Sequence, residues 1–264
     1  MDQGLVFSLV FVFGLLFGSF LNVCIRRIPA EEQIWAGRSH CRSCKKMIGW
    51  TDNIPVISFC VLKARCRHCK ARIGWSYPLV ELATGILFVA CVARFGQTPL
   101  AVVYALLGAA LIVLTVIDFH EMFLPDEITL PGISIGVIVS FFLPQLHGAA
   151  TPWAGLWAAV AGALVGSGIL TVIRWLGGLA FKREAMGLGD LKLMAMVGAF
   201  IGVYKAGLVD FFLAPILGAL IGLALKLRDG REEIPFGPFL AAGTLIAIFW
   251  GDAILNWYAH WLFG

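Results

Sequence analysis

Eight stretches of this chain are too long and too apolar to fold outside a hydrophobic slab. They run near residues 4–25, 78–96, 99–117, 127–145, 152–176, 190–204, 206–227 and 237–262, and a bilayer core takes about 20 residues of helix per crossing. Inside such a slab each segment must satisfy its own backbone N–H and C=O groups, so the runs are read as helices. Composition agrees. With 60% hydrophobic and 14% charged residues in 264, the chain is no soluble globule, whose charged share is about 25%. The same excess excludes intrinsic disorder and a collagen-like chain. The sequence therefore predicts an all-α polytopic membrane protein of about eight transmembrane helices, with the 190–204 run the shortest. Asp2 stands before the first run where a signal peptide carries positive charge, and no A-x-A-like cleavage site follows it. The run is read as a retained helix.

One polar insertion interrupts the pattern, and it divides the chain into a first transmembrane helix (1–25), a cytoplasmic segment (26–77) and a core of about seven helices (78–264). The insertion holds Arg26, Arg27, Arg38, Arg42, Lys45, Lys46, Lys63, Arg65, Arg67, Lys70 and Arg72. Arg174, Lys182, Arg183 and Lys192 flank the fifth-to-sixth connection, Lys226, Arg228 and Arg231 the seventh-to-eighth, and only Arg94 and Lys205 fall on the other side. The positive-inside rule then places the insertion in the cytoplasm and both chain ends outside. Net charge is only +4, and the bases follow topology, so a nucleic-acid partner is not expected; membrane lipid is. Trp153, Trp157, Trp250, Trp257, Tyr258 and Trp261 gather near the outer ends of the fifth and eighth helices, as an interfacial aromatic belt does.

The insertion also contains a repeat. Residues 41–50 read CRSCKKMIGW and residues 66–75 read CRHCKARIGW. Cys41, Cys44, Cys66 and Cys69 thus follow C-x2-C-x21-C-x2-C, the spacing of paired zinc knuckles in kind. Each turn aims two sulfurs at one point, and two turns close a tetrahedral site with no position left for substrate. A structural Zn2+ is expected, and its binding would supply much of the folding free energy of a segment poor in large apolar groups. Seven cysteines, an odd number, including CxxC pairs, argue for a reducing compartment and against a disulfide framework. His40 and His68 are read as solvated, and Cys24, Cys60 and Cys91 as ordinary buried thiols.

Two acids mark the membrane edge on the cytoplasmic side. Asp118 ends the third apolar run and Asp190 opens the sixth in MGLGDLKLMAMVGAF. Taken singly, one could be a stop signal and the other a helix cap. Together, at one predicted depth, they form a catalytic pair, because two carboxylates sharing a site cannot both ionise easily and so offer one acid and one base at the same pH. That pair suits peptide hydrolysis by activated water. The helix dipole would favour the charged form of Asp190 at a helix start and the neutral form of Asp118 at a helix end, making Asp190 the base. Gly187 and Gly189 would let backbone approach the scissile segment. Asp126, after Pro125, is read as an N-cap. Glu81, one turn into the second helix, has two roles open to it: contact with a cationic ligand, or pairing with an arginine of the insertion.

The motifs GSFLNVCIRRIP (18–29), the doubled knuckle around NIPVISF, YPLVELATG (77–85), DFHEMFLPDEITLP (118–131) and GLGDLKLMAMVGAFIG (187–202), taken in this order, closely resemble bacterial type IV prepilin peptidases, which are GxGD intramembrane aspartyl proteases. The resemblance is looser after residue 202. It implies a multi-pass enzyme of the bacterial inner membrane, with its active site facing the cytoplasm. Such an enzyme cleaves the leader of type IV prepilins or type II secretion pseudopilins, typically after a glycine. The family's catalytic aspartates fall on Asp118 and Asp190, and its zinc ligands on Cys41, Cys44, Cys66 and Cys69. Members with the cysteine-rich segment typically also N-methylate the new N-terminus with S-adenosylmethionine. The residues that would bind this donor are not assigned by the motifs. In one departure, Ala64 and Arg65 stand where the family usually shows a glycine and a basic residue. Two rivals remain: a cation transporter or channel with a regulatory zinc knuckle, and a membrane methyltransferase without protease activity.

Overall fold

The structure is a computed structural model that describes residues 2–35, 39–181, 186–229 and 234–263. Arg38, Lys182, Arg183 and Arg231 of the charge pattern lie outside the described residues. Among those described, the chain is helical without strands: α1 (Gln3–Arg27), the short α2 (Ile57–Val61), α3 (Ser76–Phe95), α4 (Pro99–Glu121), α5 (Asp126–Phe142), α6 (Pro152–Phe181), α7 (Leu188–Leu208), α8 (Ala214–Asp229) and α9 (Gly237–Phe263).

Each of the eight apolar runs is helical, but among the described residues six helices, not eight, are long and apolar enough to cross a membrane. Two local causes account for the difference. Helix α5 has 17 residues, at the short end of what a span takes. The sixth and seventh runs join through a π-helical turn at Val209–Leu213 into one apolar stretch, Leu188–Gly222. That stretch still bends, because Gly202 (φ 77°, ψ 177°) leaves the helical path inside α7, in a region open to glycine alone. Leu5, Leu9, Val12, Phe13 and Leu16 of α1 are all at least half exposed. An apolar surface of this extent suits lipid, not water.

The chain packs as two units, Met1–Val113 and Leu114–Gly264. In the first unit α3 packs on α1. A Cβ at Gly14 would lie 2.7 Å from Gly85 Cα, and one at Gly18 would lie 2.7 Å from Glu81 Cα. Small residues let two membrane helices meet backbone to backbone, where lipid gives no hydrophobic drive to association. In the second unit α7 is held the same way. Gly162 of α6 and Gly198 of α7 face each other so closely that a Cβ on either would strike the other's carbonyl, and Gly136 of α5 rests on Ala199 and Phe200. These contacts fix the helix that begins with the GLGD motif.

Candidate active site and metal centre

Asp118 lies in the last turn of α4 and Asp190 in the first turn of α7. Both are buried, at 5% and 8% exposure, although carboxylates are almost never buried without partners. The partners are backbone donors at helix starts. Asp118 Oδ2 accepts the Gly237 N–H at 3.0 Å, one of the four donors that the beginning of α9 leaves free. Asp190 turns back toward the N–H of Gly187, the N-cap of its own helix, which is one half of a capping box. The Asp118 carboxyl is close enough for its charge to act on Asp190.

Leu124 joins the two halves of the site. A Cβ at Gly189 would lie 3.0 Å from Leu124 Cβ, and one at Gly237 would lie 2.6 Å from Asp118 Oδ2 and 3.4 Å from Leu124 Cδ2. Gly189 and Gly237 are therefore the positions where a side chain would push the acids apart. Gly187 has an ordinary extended backbone (φ −70°, ψ 150°), so its place in the site rests on its N–H. The dipole argument for acid and base now applies to both residues, since Asp118, at a helix end, also meets the start of another helix. Gly237 and Leu124 escaped the sequence reading. The glycine-proline pair at 237–238, opening an apolar run, was the available signal for a backbone donor there.

Asp126 is not an N-cap. Pro125 occupies that position, and the Asp126 carboxylate takes the Lys192 ammonium on both oxygens at 2.7 Å. The pair ties the start of α5 to α7 two residues beyond Asp190. Both side chains are substantially exposed, so its contribution is modest.

The four knuckle cysteines converge. Their sulfurs all lie within 4.8 Å of one another, and Cys41 Sγ to Cys69 Sγ is 3.7 Å. A tetrahedron with metal–sulfur bonds of about 2.3 Å has edges of about 3.8 Å, so the donor set fits zinc. The repeat in sequence is a repeat in structure. Cys41 N–H donates to the Lys46 carbonyl and Lys45 N–H to Cys41, while Cys66 N–H donates to Ala71 and Lys70 N–H to Cys66. The N–H groups of Cys44 and Ser43 pull the Cys41 thiol down to about 6. Cys69, although the Ala71 N–H draws its thiol down, is pushed up to about 11 by desolvation and by the other three cysteines. Four thiolates in one place require a cation.

Little else holds this segment. Between residues 39 and 77 only Pro55 and Ser58 are buried. Ser58 Oγ accepts the Ile54 N–H at 3.0 Å and donates to the Thr51 carbonyl at 2.9 Å. Arg67 grips both oxygens of Asp52, at 2.6 to 3.0 Å, and holds that carboxyl below its ordinary range. His40 is not simply solvated, since its Nε2 lies 3.2 Å from an Arg26 nitrogen. Cys24 and Cys91 are buried as expected, whereas Cys60, in short α2, is exposed.

Comparison with known proteins places these features. The sequence matches the Bacterial Peptidase A24 N-terminal domain over residues 12–95 and the Type IV leader peptidase family over residues 105–223. It is 36% identical to a prepilin leader peptidase/N-methyltransferase of Pseudomonas putida, covering 96% of this chain and 94% of that one. A protein of the same name from Bacillus subtilis (strain 168) is 34% identical over 97% of this chain and 99% of its own. Another from Myxococcus xanthus (strain DK1622) is 40% identical over 84% of this chain and 64% of its own. No solved structure matches.

Proposed function

Since the chain belongs to the type IV leader peptidase family, we propose that it removes the leader from prepilins or pseudopilins at the cytoplasmic face of the bacterial inner membrane. Asp118 and Asp190 would be its catalytic pair. The observation that carries this reading is the burial of these two interacting carboxylates, each facing a helix-start N–H. In the reaction one ionised aspartate takes a proton from water as the oxygen attacks the scissile carbonyl. The protonated partner polarises that carbonyl and then gives a proton to the leaving amine. No covalent intermediate is needed. The protons belong to the pair, and titration would report macroscopic values.

The substrate's chemistry suits this place. A leader with positive charge in water and an apolar helix in lipid presents its scissile bond at the interface, and extended backbone is tolerated there only against protein or water. Transport sites usually lie near the bilayer midplane. Asp118 and Asp190 instead occupy the last and first turns of their helices, which counts against the cation-transporter alternative.

Cys41, Cys44, Cys66 and Cys69 would hold a structural zinc, which offers the peptide bond nothing because four thiolates saturate it. S-adenosylmethionine would supply the methyl group for the new N-terminal amine. Incubation of the purified protein with a prepilin peptide, followed by mass measurement of the product, tests both reactions separately. An intact peptide after prolonged incubation with folded, zinc-loaded protein would sink the peptidase reading. A cleaved but unmethylated product in the presence of donor would sink only the second.

A further inference from the structure

Short α2 carries its polarity inside out. Its one buried residue is the polar Ser58, whose hydroxyl is engaged by the Ile54 N–H and the Thr51 carbonyl. Ile57 and Val61 point the other way, at 59% and 69% exposure, and Cys60 is exposed with them. Spaced i, i+3 and i+4, the three form one apolar stripe. A helix bordering water has the reverse pattern, with its apolar face inward.

Two contacts set the height of α2 beside the membrane helix α3. Val56, the N-cap of α2, donates its N–H to Glu81 Oε2 at 2.7 Å. Glu81, whose partner the sequence left open, takes this backbone donor. Val56 makes the bond from φ 60° and ψ −48°, a backbone that a β-branched residue rarely adopts. Next to Ser58, the Phe59 ring lies 4.9 Å from the Trp75 ring, centre to centre. Trp75 is the N-cap of α3, with helical φ −65° and ψ −19°. Leu79 and Ile86, on the same face of α3 as Trp75, are exposed, as suits lipid along one of the membrane-length helices. Glu81 stands roughly 7.5 Å along the axis from Ser76, the first residue of α3, at 1.5 Å per residue. The inner residues of α2 thus face protein, and its apolar stripe faces whatever surrounds the first turns of a membrane helix.

We propose that α2 is an interfacial helix that seats the knuckle segment in the headgroup layer of its own membrane, with Ile57 and Val61 at the acyl boundary. Lys63 and Arg65, which follow α2 directly and are both exposed, would meet the phosphates of an anionic lipid, phosphatidylglycerol. Interfacial helices lie about 5–10 Å into that layer, the height at which Trp75 and Glu81 hold α2, and a tryptophan at the mouth of a span marks the same layer. Charge selects the occupant, since two cations beside an apolar stripe suit an anionic surface and repel a cationic peptide. The seat also accounts for the order of a segment with so few buried residues. Helix α2 leads into the second knuckle and Trp75 leads out of it, so both ends of that knuckle are anchored at the membrane, and the shared sulfur site holds the first knuckle to the second. Neither cleavage nor methylation is needed for this; embedding through α1 and α3 is enough.

The test uses full-length, zinc-loaded protein in nanodiscs of phosphatidylglycerol or of phosphatidylcholine. A diazirine-bearing residue replaces Val61, and the same residue in place of Leu16, exposed on α1, sets the yield for full lipid contact. In phosphatidylglycerol the lipid adduct at position 61 should reach at least about a third of that at position 16. A lower yield would overturn the seat, and so would crosslinking to a second copy of the chain in place of lipid. Hydrogen exchange of the amides in 57–65 reads the seated fraction. Each base near an anionic surface shifts that equilibrium about fivefold, so exchange should be at least about fivefold slower in phosphatidylglycerol than in phosphatidylcholine. Equal rates would overturn the choice of anionic lipid. Lys63→Gln with Arg65→Gln should reduce the difference between the lipids to less than about twofold; a difference that persists would take the charge contact away from these residues. Ile57→Glu with Val61→Glu should speed exchange at least about tenfold in phosphatidylglycerol with bound zinc kept. A smaller change with zinc kept would overturn the seat. If that variant loses zinc, the wild-type comparison of lipids and the adduct at position 61 decide.

Discussion

The aspartate site and the cysteine knuckles solve the problem of positioning chemistry by opposite means. The aspartates are held by packing: α7 is locked to α5 and α6 by glycines at backbone contact, and the carboxyls are then fixed by helix-start N–H groups. The knuckles have almost no buried apolar residue and rely on short-range hydrogen bonds, one bidentate ion pair and a shared set of sulfurs. One region should respond to changes of volume and charge, the other to loss of a metal. The difference teaches that a site can be rigid without a core where a cation gathers its ligands.

The largest expected effect breaks the first region chemically. Asp118→Asn and Asp190→Asn should each lower prepilin cleavage at least about a thousandfold with helical content and melting temperature unchanged; measurable turnover in either variant would remove that residue from the mechanism. Next comes volume. Gly162→Val places a side chain against the Gly198 carbonyl and should destabilise the second unit by about 1–3 kcal/mol, read as a lowered midpoint of denaturation. The same change in size at exposed Gly49 of the first knuckle, where a Cβ meets only Thr51 Oγ at 3.8 Å, should cost far less.

Much of this arrangement was readable along the chain, and what escaped is instructive. Apart from the joined sixth and seventh, the apolar runs gave helices within about five residues of their ends, because membrane helices announce themselves by length and hydropathy. Asp118 and Asp190 stood out because charge is rare at the ends of such runs, and the cysteines because a repeat fixed their spacing. Partners across the fold left no local trace. Gly237 lies 119 positions from Asp118, and Lys192 lies 66 from Asp126, so an ion pair was taken for a cap. Asp210 sat unnoticed inside an apolar run; it is 1% exposed in the π-helical turn, and among the described residues neither carboxylate oxygen has a hydrogen-bond partner. The union of the sixth and seventh runs was missed because Lys205 appeared to end a span, whereas its ammonium pairs with Asp252 at 2.9 Å.

The second region should yield to metal removal. Cys66→Ser, or a chelator strong enough to strip zinc, should increase proteolysis within residues 26–77 and reduce methylation about 10–100-fold, as loss of a site's supporting shell does. Cleavage should fall by much less. X-ray absorption of the intact protein should give sulfur-only coordination at about 2.3 Å, and nitrogen or oxygen in the first shell would reject the four-cysteine site. Between the regions in magnitude of effect stands Asp126→Asn. It loses an exposed pair worth about 1 kcal/mol at most, so cleavage should fall by less than about fivefold. A variant as inactive as Asp118→Asn would make Asp126 part of the chemistry.

The smallest expected effect compares the two knuckles with each other. Lys45 and Lys70 occupy the same step of the repeat and share a left-handed backbone, φ 58° and 59°, so each copy carries that strain equally. The second copy is entered through two further left-handed residues, Lys63 (φ 50°) and Ala64 (φ 55°). The Ala64 N–H donates to the Phe59 carbonyl and its carbonyl accepts from Ile73, so the conformation is fixed from both sides and alanine must bear its cost. Glycine adopts this region freely but loses more freedom on folding, and the two effects oppose each other. Strain at a left-handed alanine is about 1–2 kcal/mol, against about 0.4–1 kcal/mol for the entropy of glycine. Ala64→Gly should therefore stabilise the zinc-loaded segment by up to about 1 kcal/mol, measured as slower proteolysis within 26–77 at fixed zinc concentration. Faster proteolysis in Ala64→Gly would mean that the unfolded-state term dominates and that the left-handed entry to the second knuckle carries little strain.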